Sequence, residues 1–227
     1  MKLSIIIPCY NEEATILQVV SRINNVKIQD TKKEIIIIND GSTDGTVNKI
    51  KDINDVVIIN HDKNMGKGEA IRTGLKYVSG DLIIIQDADL EYDPSEYPNL
   101  IKPFESNKIN VVYGSRNLKK NDYSLFSFYI GGIIITKFAN LLYPNAKLTD
   151  LHTCYKIFRK KLILELNIES TGFEFCPEIT AKILNKKISI KEVPISYYPR
   201  SKKEGKKIKW RDGIIALYVL IKHKFSK

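Results

Sequence analysis

Short runs of β-branched and other apolar residues alternate with helical patterns along the first half of the chain. Five of these runs are predicted strands, at residues 3–7, 34–38, 56–59, 82–85 and 111–113. Because helical segments fill most of the intervals, the pattern predicts a mostly parallel sheet with helices on both faces. The expected fold class is therefore α/β, with a Rossmann-like sheet flanked by helices.

Turn and capping residues mark the predicted helix starts. Residues 39–42 (Asn-Asp-Gly-Ser) predict a tight turn after the second strand and a helix that begins near Thr43. Residues 93–96 (Asp-Pro-Ser-Glu) combine an N-cap, a proline at the first helical position and an acid where a capping box has one. Both segments fit the alternation of strands and helices.

The alternation fades after residue 115, and neither a repeat nor a low-complexity linker marks a second domain. We therefore expect one domain over residues 1–227. Residues 124–143 are rich in apolar side chains, and Gly131 and Gly132 interrupt their pattern. Three interpretations fit this segment: a helix packed on the sheet, a helical hairpin, or an amphipathic piece that faces a membrane.

Most of the positive charge lies near the end of the chain. The net charge is +10, and residues 200–227 hold ten Lys and Arg residues against two acidic ones, which leaves +2 for all the others. This bias predicts an anionic partner, either a membrane surface, a nucleic acid or a phosphorylated substrate. Residues 208–225 form an apolar, Trp-containing stretch flanked by lysines that suits an anionic membrane interface, and a terminal helix docked on the domain is the alternative.

Cysteine usage and hydropathy favour a cytoplasmic setting. Cys9, Cys154 and Cys176 lie far apart without a CxxC pair, so neither a disulfide framework nor a zinc ribbon is expected. The first apolar run ends at Pro8 without a cleavage site, which favours a strand over a secretory signal. No stretch approaches about eighteen uninterrupted apolar residues, so no transmembrane helix is expected.

Three acids, Asp87, Asp89 and Glu91, alternate directly after the fourth predicted strand. An extended chain would place all three side chains on one side, at the end of a strand where open α/β sheets bind ligands. Clustered carboxylates repel each other unless a cation joins them, and their oxygens suit Mg²⁺ or Mn²⁺. A solvated acidic turn is the alternative. A calcium loop is disfavoured because Tyr92 stands where that loop requires glycine.

Residues 64–72 combine a glycine-containing turn with the start of a helix. Neither a P-loop nor a dinucleotide fingerprint fits, because required glycine and hydroxyl positions hold other residues. Lys67 and Arg72 are predicted to face an anion near the helix N-terminus, and a solvated helix start is the alternative.

Eight motifs occur in order along almost the whole chain. They lie at residues 8–13 (Pro-Cys-Tyr-Asn-Glu-Glu), 39–46, 64–68, 87–89 (Asp-Ala-Asp), 114–116, 148–156, 172–175 and 193–200. Together they resemble the inverting family 2 glycosyltransferases, in particular those that transfer mannose or glucose to dolichyl or polyprenyl phosphate. The resemblance implies a GT-A fold, a nucleoside diphosphate sugar donor of the GDP-mannose or UDP-glucose type, a divalent metal (Mg²⁺ or Mn²⁺) and a polyprenyl or dolichyl phosphate acceptor.

The same resemblance implies how the chain is divided. Residues 1–115 would form a nucleotide-sugar-binding half, 116–199 an acceptor half, and 200–227 a basic loop and an amphipathic tail. The expected enzyme is a hexosyltransferase that lies peripherally on the cytoplasmic face of a membrane. The alternative is a glycosyltransferase that acts on a saccharide acceptor in cell-surface polysaccharide synthesis. A nucleic-acid-binding protein is a remote alternative, because the basic tail lacks interleaved aromatic residues and known binding motifs.

The resemblance also implies roles for individual residues. The expected nucleotide-sugar contacts are Pro8, Tyr10, Asn11, Glu12, Asp40, Lys67, Arg72, Asp87, Ala88, Asp89 and Arg200. The expected metal ligands are Asp87, Asp89 and Glu91, and the expected acceptor-phosphate residues are Ser115 and Arg116.

Catalytic roles are implied for Asp89 and Arg116. An ionised phosphate acceptor needs no strong base, whereas a sugar hydroxyl would need one, and Glu174 or Glu178 is then the candidate. Glu91 stands where similar mannose synthases commonly have glutamine, which leaves the donor open. His152 stands where similar proteins often have an acid or a small residue, and we expect it to be a structural histidine.

Overall fold

The computed structural model describes residues 1–122, 126–200 and 210–226. Within these residues, seven strands form one sheet. The strands are β1 (Lys2–Cys9), β2 (Lys32–Asn39), β3 (Val56–Asn60), β4 (Leu82–Ile85), β5 (Val111–Ser115), β6 (Lys156–Arg159) and β7 (Lys191–Pro194). The α-helices are α1 (Ile16–Asn25), α2 (Thr46–Ile50), α3 (Lys67–Leu75), α4 (Tyr97–Ile101), α5 (Phe126–Leu142), α6 (Lys160–Glu165), α7 (Phe175–Asn185) and α8 (Trp210–Phe225).

The sheet has the strand order β3-β2-β1-β4-β6-β5-β7. All neighbouring strands run parallel except β6, which is antiparallel to both β4 and β5. The five predicted strands are all present, and the prediction of a mostly parallel α/β sheet is confirmed. Strands β6 and β7 were not predicted.

Side chains of alternate residues in β1 pack into two separate cores. Ile5 and Ile7 join Ile16 of α1 and residues of α2 and α4 on one face of the sheet. Ile6 joins Ile71 of α3 and residues of α5, α6, α7 and α8 on the other face. All of these isoleucines are fully buried, and burying such a side chain stabilises a fold by roughly 1.5–3 kcal/mol. Helices therefore cover both faces, as a parallel sheet requires.

The parallel strands end at a common edge of the sheet, which we call the carboxyl edge. Strands β1, β2, β4, β5 and β7 all end there, and the antiparallel β6 begins there. Most of the motifs identified in the sequence directly follow one of these strand ends. The topology therefore gathers them on one side of the molecule.

Two predicted helix starts differ in detail from the structure. Helix α2 begins at Thr46 rather than near Thr43, because the Asp44 carboxylate accepts a hydrogen bond from the Thr46 backbone N–H at 3.0 Å. Asp93 is an N-cap as predicted and accepts from the Ser95 N–H at 2.9 Å, but it caps a short 3₁₀ turn that precedes α4. Glu96 accepts hydrogen bonds from Ser196.

Helix α5 runs without a break through Gly131 and Gly132, so the helical-hairpin interpretation of this segment is wrong. Among the described residues, a Cβ atom on either glycine would meet no atom within 4 Å outside the backbone of α5 itself. Neither glycine is needed for close packing, and each costs only about 1 kcal/mol of helix propensity. Ile135 and Ala139 bury the following turns of α5 in the core cluster that contains Ile6 of the sheet, and α5 packs there against α8.

Helix α8 packs against α5 and α7 and buries Ala216 and Leu220. Most of the basic loop expected from the sequence, residues 201–209, lies outside the described residues. Of the helices in the described ranges, none is long and apolar enough to cross a membrane.

Candidate active site

A cavity of about 940 Å³ opens beside the carboxyl edge. Its wall is built from the loops that follow β1, β2, β4 and β5 together with residues of α5, α7 and α8. Eleven predicted site residues line it: Pro8, Tyr10, Glu12, Asp40, Lys67, Asp87, Ala88, Asp89, Glu91, Arg116 and Arg200. The fold thus brings most of the predicted donor and metal residues into one space.

Arg200 lies among three carboxylates of this cavity. Its guanidinium donates from Nη2 to Asp89 at 2.7 Å and from Nη1 to Glu12 at 3.0 Å, and its Nε lies 3.8 Å from Glu91. Carboxylates this close repel each other, and an enclosed cation offsets that repulsion. The negative charge of the acid cluster is therefore compensated in part by a residue of the chain itself.

Glu91 fastens the segment that follows β7. One carboxylate oxygen accepts from the Arg200 backbone N–H at 2.9 Å, and the other accepts from the Tyr197 hydroxyl at 2.8 Å. Its backbone carbonyl accepts from the Tyr198 N–H. Glu91 therefore positions Arg200 beside the acids in addition to lying near its guanidinium.

Asp87 and Asp89 have opposite electrostatic surroundings. Burial, with the negative charges of Asp87 and Glu91, raises the pKa of Asp89 to about 7, although Arg200 opposes the shift. Burial also disfavours the charged form of Asp87, but the Lys67 ammonium in direct contact, with Cys154 and Arg200, outweighs burial and lowers the pKa of Asp87. Lys67 is thus the partner of Asp87, as Arg200 is of Asp89.

Asp40 organises the loop that leads into α3. Its carboxylate accepts from the backbone N–H groups of Met65 and Gly66 at 2.9 and 2.8 Å, and its Oδ1 lies 2.7 Å from His61 Nδ1. Gly66 has φ of 98°, a conformation that side chains other than glycine rarely adopt. Asp40 lines the cavity, and its contact with a nucleotide base stays a prediction.

Arg116 is held rigidly by Asp150 at the cavity wall. It donates from Nε and Nη2 to the two carboxylate oxygens at 2.7 and 2.8 Å, and its backbone N–H donates to the same group. The guanidinium also lies 5.0 Å from the centroid of the Tyr197 ring. A bidentate pair of this kind fixes the orientation of the arginine as well as its charge. Tyr197 thus contacts Arg116 with its ring and Glu91 with its hydroxyl.

Similarity to known proteins agrees with this arrangement. The family model described as glycosyl transferase family 2 matches residues 4–166. This chain belongs to that family. The chain is 30% identical to a dolichol-phosphate mannosyltransferase of Pyrococcus furiosus, over 91% of this chain and 59% of the relative. It is also 30% identical to the low-salt glycan biosynthesis hexosyltransferase Agl6 of Haloferax volcanii, over 87% of this chain and 48% of the relative. The chain thus spans about half the length of these relatives.

Solved structures confirm the GT-A fold of this family 2 glycosyltransferase. Glucosyl-3-phosphoglycerate synthase from Mycobacterium tuberculosis superposes with a TM-score of 0.74 at 18% identity, over 98% of this chain and 78% of the synthase. That crystal structure contains Mn²⁺, UDP and glucosyl-3-phosphoglycerate. At this identity the likeness establishes the fold.

The predicted metal ligands of this glycosyltransferase fit a hard divalent ion by their chemistry. Two of them, Asp89 and Glu91, direct carboxylate oxygens toward one cationic group, the Arg200 guanidinium, whereas the third, Asp87, contacts Lys67. Over residues 1–122, 126–200 and 210–226, however, no three His, Cys, Asp or Glu side chains are arranged to hold a metal ion. In this structure, the cationic partner of Asp89 is Arg200.

Several predicted site residues lie elsewhere. Asn11 lines a neighbouring cavity that shares Glu12 and Arg200 with the first, and its side chain bonds to Thr43. Arg72 is not among the described cavity-lining residues and pairs with Glu69 at 2.5 Å. The solvated helix-start interpretation fits Arg72 better than an anion site.

Ser115 is not placed to hold a phosphate. It is fully buried, and its hydroxyl bonds to Thr149 at 2.6 Å and to the Asn117 backbone. Because it caps the turn that leads out of β5, Ser115 positions the Arg116 backbone instead.

The two candidate bases also have structural partners. Glu178 is fully buried, pairs with Lys182 at 2.6 Å and accepts from the backbone N–H groups of Glu169 and Ser170. Burial raises the pKa of Glu178, but these hydrogen bonds outweigh burial and lower it. Glu174 accepts from the Thr171 and Gly172 N–H groups. Neither glutamate is among the described cavity-lining residues, so their positions do not support a role as base.

Sequence reasoning gave no roles to three residues that shape the site: Asp150, His61 and Tyr197. Asp150 and Tyr197 lie within two of the recognised motifs, residues 148–156 and 193–200, which is the signal that pointed to them. No pattern marks His61, because its link to Asp40 depends on the packing of the loops after β2 and β3.

Proposed function

We propose that this glycosyltransferase moves a hexose from a nucleoside diphosphate sugar to polyprenyl or dolichyl phosphate with inversion at the anomeric carbon. The donor is of the GDP-mannose or UDP-glucose type. Family membership and the similarity to a dolichol-phosphate mannosyltransferase support the proposal.

The observation that carries it is the chemistry of the acceptor side of the cavity. Arg116, clamped by Asp150, supplies a fixed cation, and Phe128, Ile133 and Ile135 of α5 line the same cavity with apolar surface. A cation beside a hydrocarbon wall suits a phosphate that is attached to an isoprenoid chain. A soluble saccharide acceptor would gain little from that wall.

The reaction needs no base at the acceptor. An ionised phosphate oxygen attacks the anomeric carbon from the face opposite the leaving group, and a new carbon–oxygen bond forms. The bond between that carbon and the donor diphosphate breaks, and its electron pair leaves with the nucleoside diphosphate. Lys67 and Arg200 are placed to compensate the charge that develops on the leaving phosphates. A divalent ion held by Asp87, Asp89 and Glu91 would supply further Lewis-acid stabilisation there.

Two packed helices offer a surface that suits a membrane. Large apolar side chains are exposed on both of them: Ile130, Ile134 and Leu141 of α5, and Trp210, Ile214, Ile215, Tyr218, Ile221 and Phe225 of α8. We call these residues the apolar face. Arg211, Lys222 and Lys224 lie on the same helix α8, which matches an anionic bilayer. Peripheral attachment to the cytoplasmic side of a membrane follows as part of the proposal.

The test is transfer of radiolabelled sugar to a short prenyl phosphate by purified protein with Mn²⁺. GDP-mannose and UDP-glucose are assayed in parallel, and the product is extracted into an organic solvent. We expect label in the organic phase with one donor, and a loss of about a hundredfold in Asp89→Asn. Label that appears only in water-soluble saccharide would support the alternative acceptor. The proposal would be refuted if no sugar were transferred from either donor and if the Asp89→Asn variant also replaced the wild type fully in cells.

A further inference from the structure

Alternate residues of the segment before β6 face the cavity. Asp150, His152 and Cys154 line it, whereas Leu151 and Thr153 between them are fully buried. Residues 151 and 152 form a turn, and the segment places Leu151 and Thr153 against the core while Asp150, His152 and Cys154 lie along the ligand space. His152 is therefore presented to the cavity by the backbone.

Asp150 and Cys154, which line the cavity on either side of His152 in the sequence, contact different charged groups. Asp150 holds the Arg116 guanidinium. Cys154 Sγ lies 3.1 Å from the Lys67 ammonium, which pairs with Asp87. In the sequence, His152 thus lies between a residue that holds Arg116 and a residue that contacts Lys67, and all of these side chains line the same cavity.

The backbone around His152 is fixed on both sides. The buried Lys156 ammonium donates to the carbonyl of Leu151 at 3.0 Å and to the carbonyl of Thr153. Because these two carbonyls flank His152, its backbone position is set before any ligand arrives.

The imidazole has hydrogen-bonding capacity that the described part of the protein does not use. Its Nε2 is buried and has no hydrogen-bond partner there. Burial lowers the pKa of His152 to about 4, assisted by Lys156 and Arg116 and opposed by Asp150. At neutral pH the ring is therefore uncharged, with one nitrogen that donates and one that accepts.

We propose that His152 determines sugar specificity by forming a hydrogen bond from its imidazole to a hydroxyl group of the transferred hexose. This inference rests on the proposed function. The donor and acceptor phosphates are charged and suit cationic side chains. The transferred sugar is uncharged, so a neutral hydrogen-bonding group such as the imidazole suits it.

The test compares the affinity of the protein for sugar nucleotides with its affinity for the corresponding nucleotides. Isothermal titration with UDP, UDP-glucose, GDP and GDP-mannose, all with Mn²⁺, is run on the wild type, His152→Leu and His152→Gln. His152→Leu should weaken binding of the preferred sugar nucleotide about tenfold. Its affinity for the parent nucleotide should stay within about twofold of the wild-type value. His152→Gln keeps a neutral side chain that can donate and accept hydrogen bonds. It should therefore retain most of the affinity that the sugar adds to that of the nucleotide. His223→Leu, a histidine variant on α8, is the matched control and should bind like the wild type.

A second readout observes ligand binding by the wild type itself, and the variant is needed only to assign the signal. Nitrogen NMR of the imidazole, assigned with His152→Gln, should show a shift of the His152 signal with the sugar nucleotide and none with the parent nucleotide. Equal effects of sugar nucleotide and nucleotide, in titration or NMR, would overturn the role of His152. Wild-type protein that binds neither class of ligand would instead remove the proposed function.

Discussion

Arg200 donates from Nη2 to Asp89 Oδ2 across 2.7 Å, although the two residues are 111 positions apart in the sequence. The same guanidinium reaches Glu12 at 3.0 Å. A cation of the chain thus occupies the carboxylate on which metal binding is predicted to depend. In the proposed reaction, we expect Arg200 to exchange Asp89 for the donor phosphates, because its own charge suits them.

Replacing Arg200 should therefore affect two ligands in opposite directions. In Arg200→Gln, Mn²⁺ alone should bind about threefold to tenfold more tightly, because a competing cation is gone. Nucleoside diphosphate should bind about tenfold more weakly, because a charged hydrogen bond is worth roughly 1.5–3 kcal/mol. Electron paramagnetic resonance measures the first affinity, and titration calorimetry the second. The control Arg72→Gln removes a positive charge that lies away from the cavity, and it should change neither the Mn²⁺ affinity nor the nucleotide affinity. Weaker Mn²⁺ binding in Arg200→Gln would contradict the idea that Arg200 competes with the metal ion.

Substitution of Arg116 should separate acceptor binding from donor binding. Arg116→Lys keeps the charge but loses the paired hydrogen bonds to Asp150, so the ammonium is no longer fixed at the cavity wall. We expect KM for a prenyl phosphate to rise about tenfold while the Kd of the donor stays unchanged. Steady-state kinetics with varied acceptor, together with donor titration, distinguish the two. Arg72→Lys is the control, and an equal loss of donor affinity would count against the acceptor role.

The apolar face should govern binding to lipid. Ile214 and Tyr218 are exposed by 58% and 65% and lie one turn apart on α8. The double variant Ile214→Ser, Tyr218→Ser should reduce partitioning onto vesicles of phosphatidylcholine and phosphatidylglycerol by at least about tenfold. Leu164→Ser changes a similarly exposed leucine on α6 and should bind as the wild type does. Vesicle sedimentation measures the effect, and binding of the wild type should also weaken as NaCl is raised.

Glu34 should stabilise the sheet in a pH-dependent manner. Its carboxylate accepts from the Ser79 and Gly80 N–H groups and contacts Lys2 and Ser4. Burial raises its pKa, but hydrogen bonds from Lys2, Ser4 and Ser79 outweigh burial and lower the pKa from 4.5 to about 2. Glu34→Gln should therefore cost about 2 kcal/mol of unfolding free energy at neutral pH.

The sign of the pH effect follows from that direction. The folded pKa lies below the unfolded one, so the stabilisation is complete above pH 4.5 and is lost as pH falls toward 2. Urea unfolding at several pH values should show the wild type and Glu34→Gln converging across this window. Glu165→Gln, at an exposed position on α6, should show no such convergence; a constant difference for Glu34→Gln would exclude the carboxylate as its source.

The first four strands were predictable because each is a short apolar run bounded by turn residues. Strand β6 was not, since Lys156 and Arg159 interrupt its apolar pattern and are stabilised only by tertiary contacts. The prediction of β5 was correct, but its antiparallel neighbour β6 and its parallel neighbour β7 depend on pairings distant in sequence.

The acid motif after β4 was also predictable only in part. Asp87, Asp89 and Glu91 were expected on one side of an extended chain, but β4 ends at Ile85 and the chain turns through the motif. All three still line the cavity, yet Lys67, Arg200 and Tyr197 engage them individually. Local spacing predicted that the acids belong to a site. Which cation meets which acid depends on loops from β3, α3 and β7, and local spacing carries no such information.

The contact between Glu12 and Arg200 spans 188 residues and sets the order in which the protein can mature. Acids from the first half of the chain can collect at the carboxyl edge once β1, β2 and β4 have paired. Lys67 of α3 meets Asp87, but Arg200, the counter-charge of Glu12 and Asp89, arrives only with the segment after β7. During synthesis the site therefore stays electrostatically incomplete until almost the entire domain has left the ribosome, and long-range closure of this kind is slow.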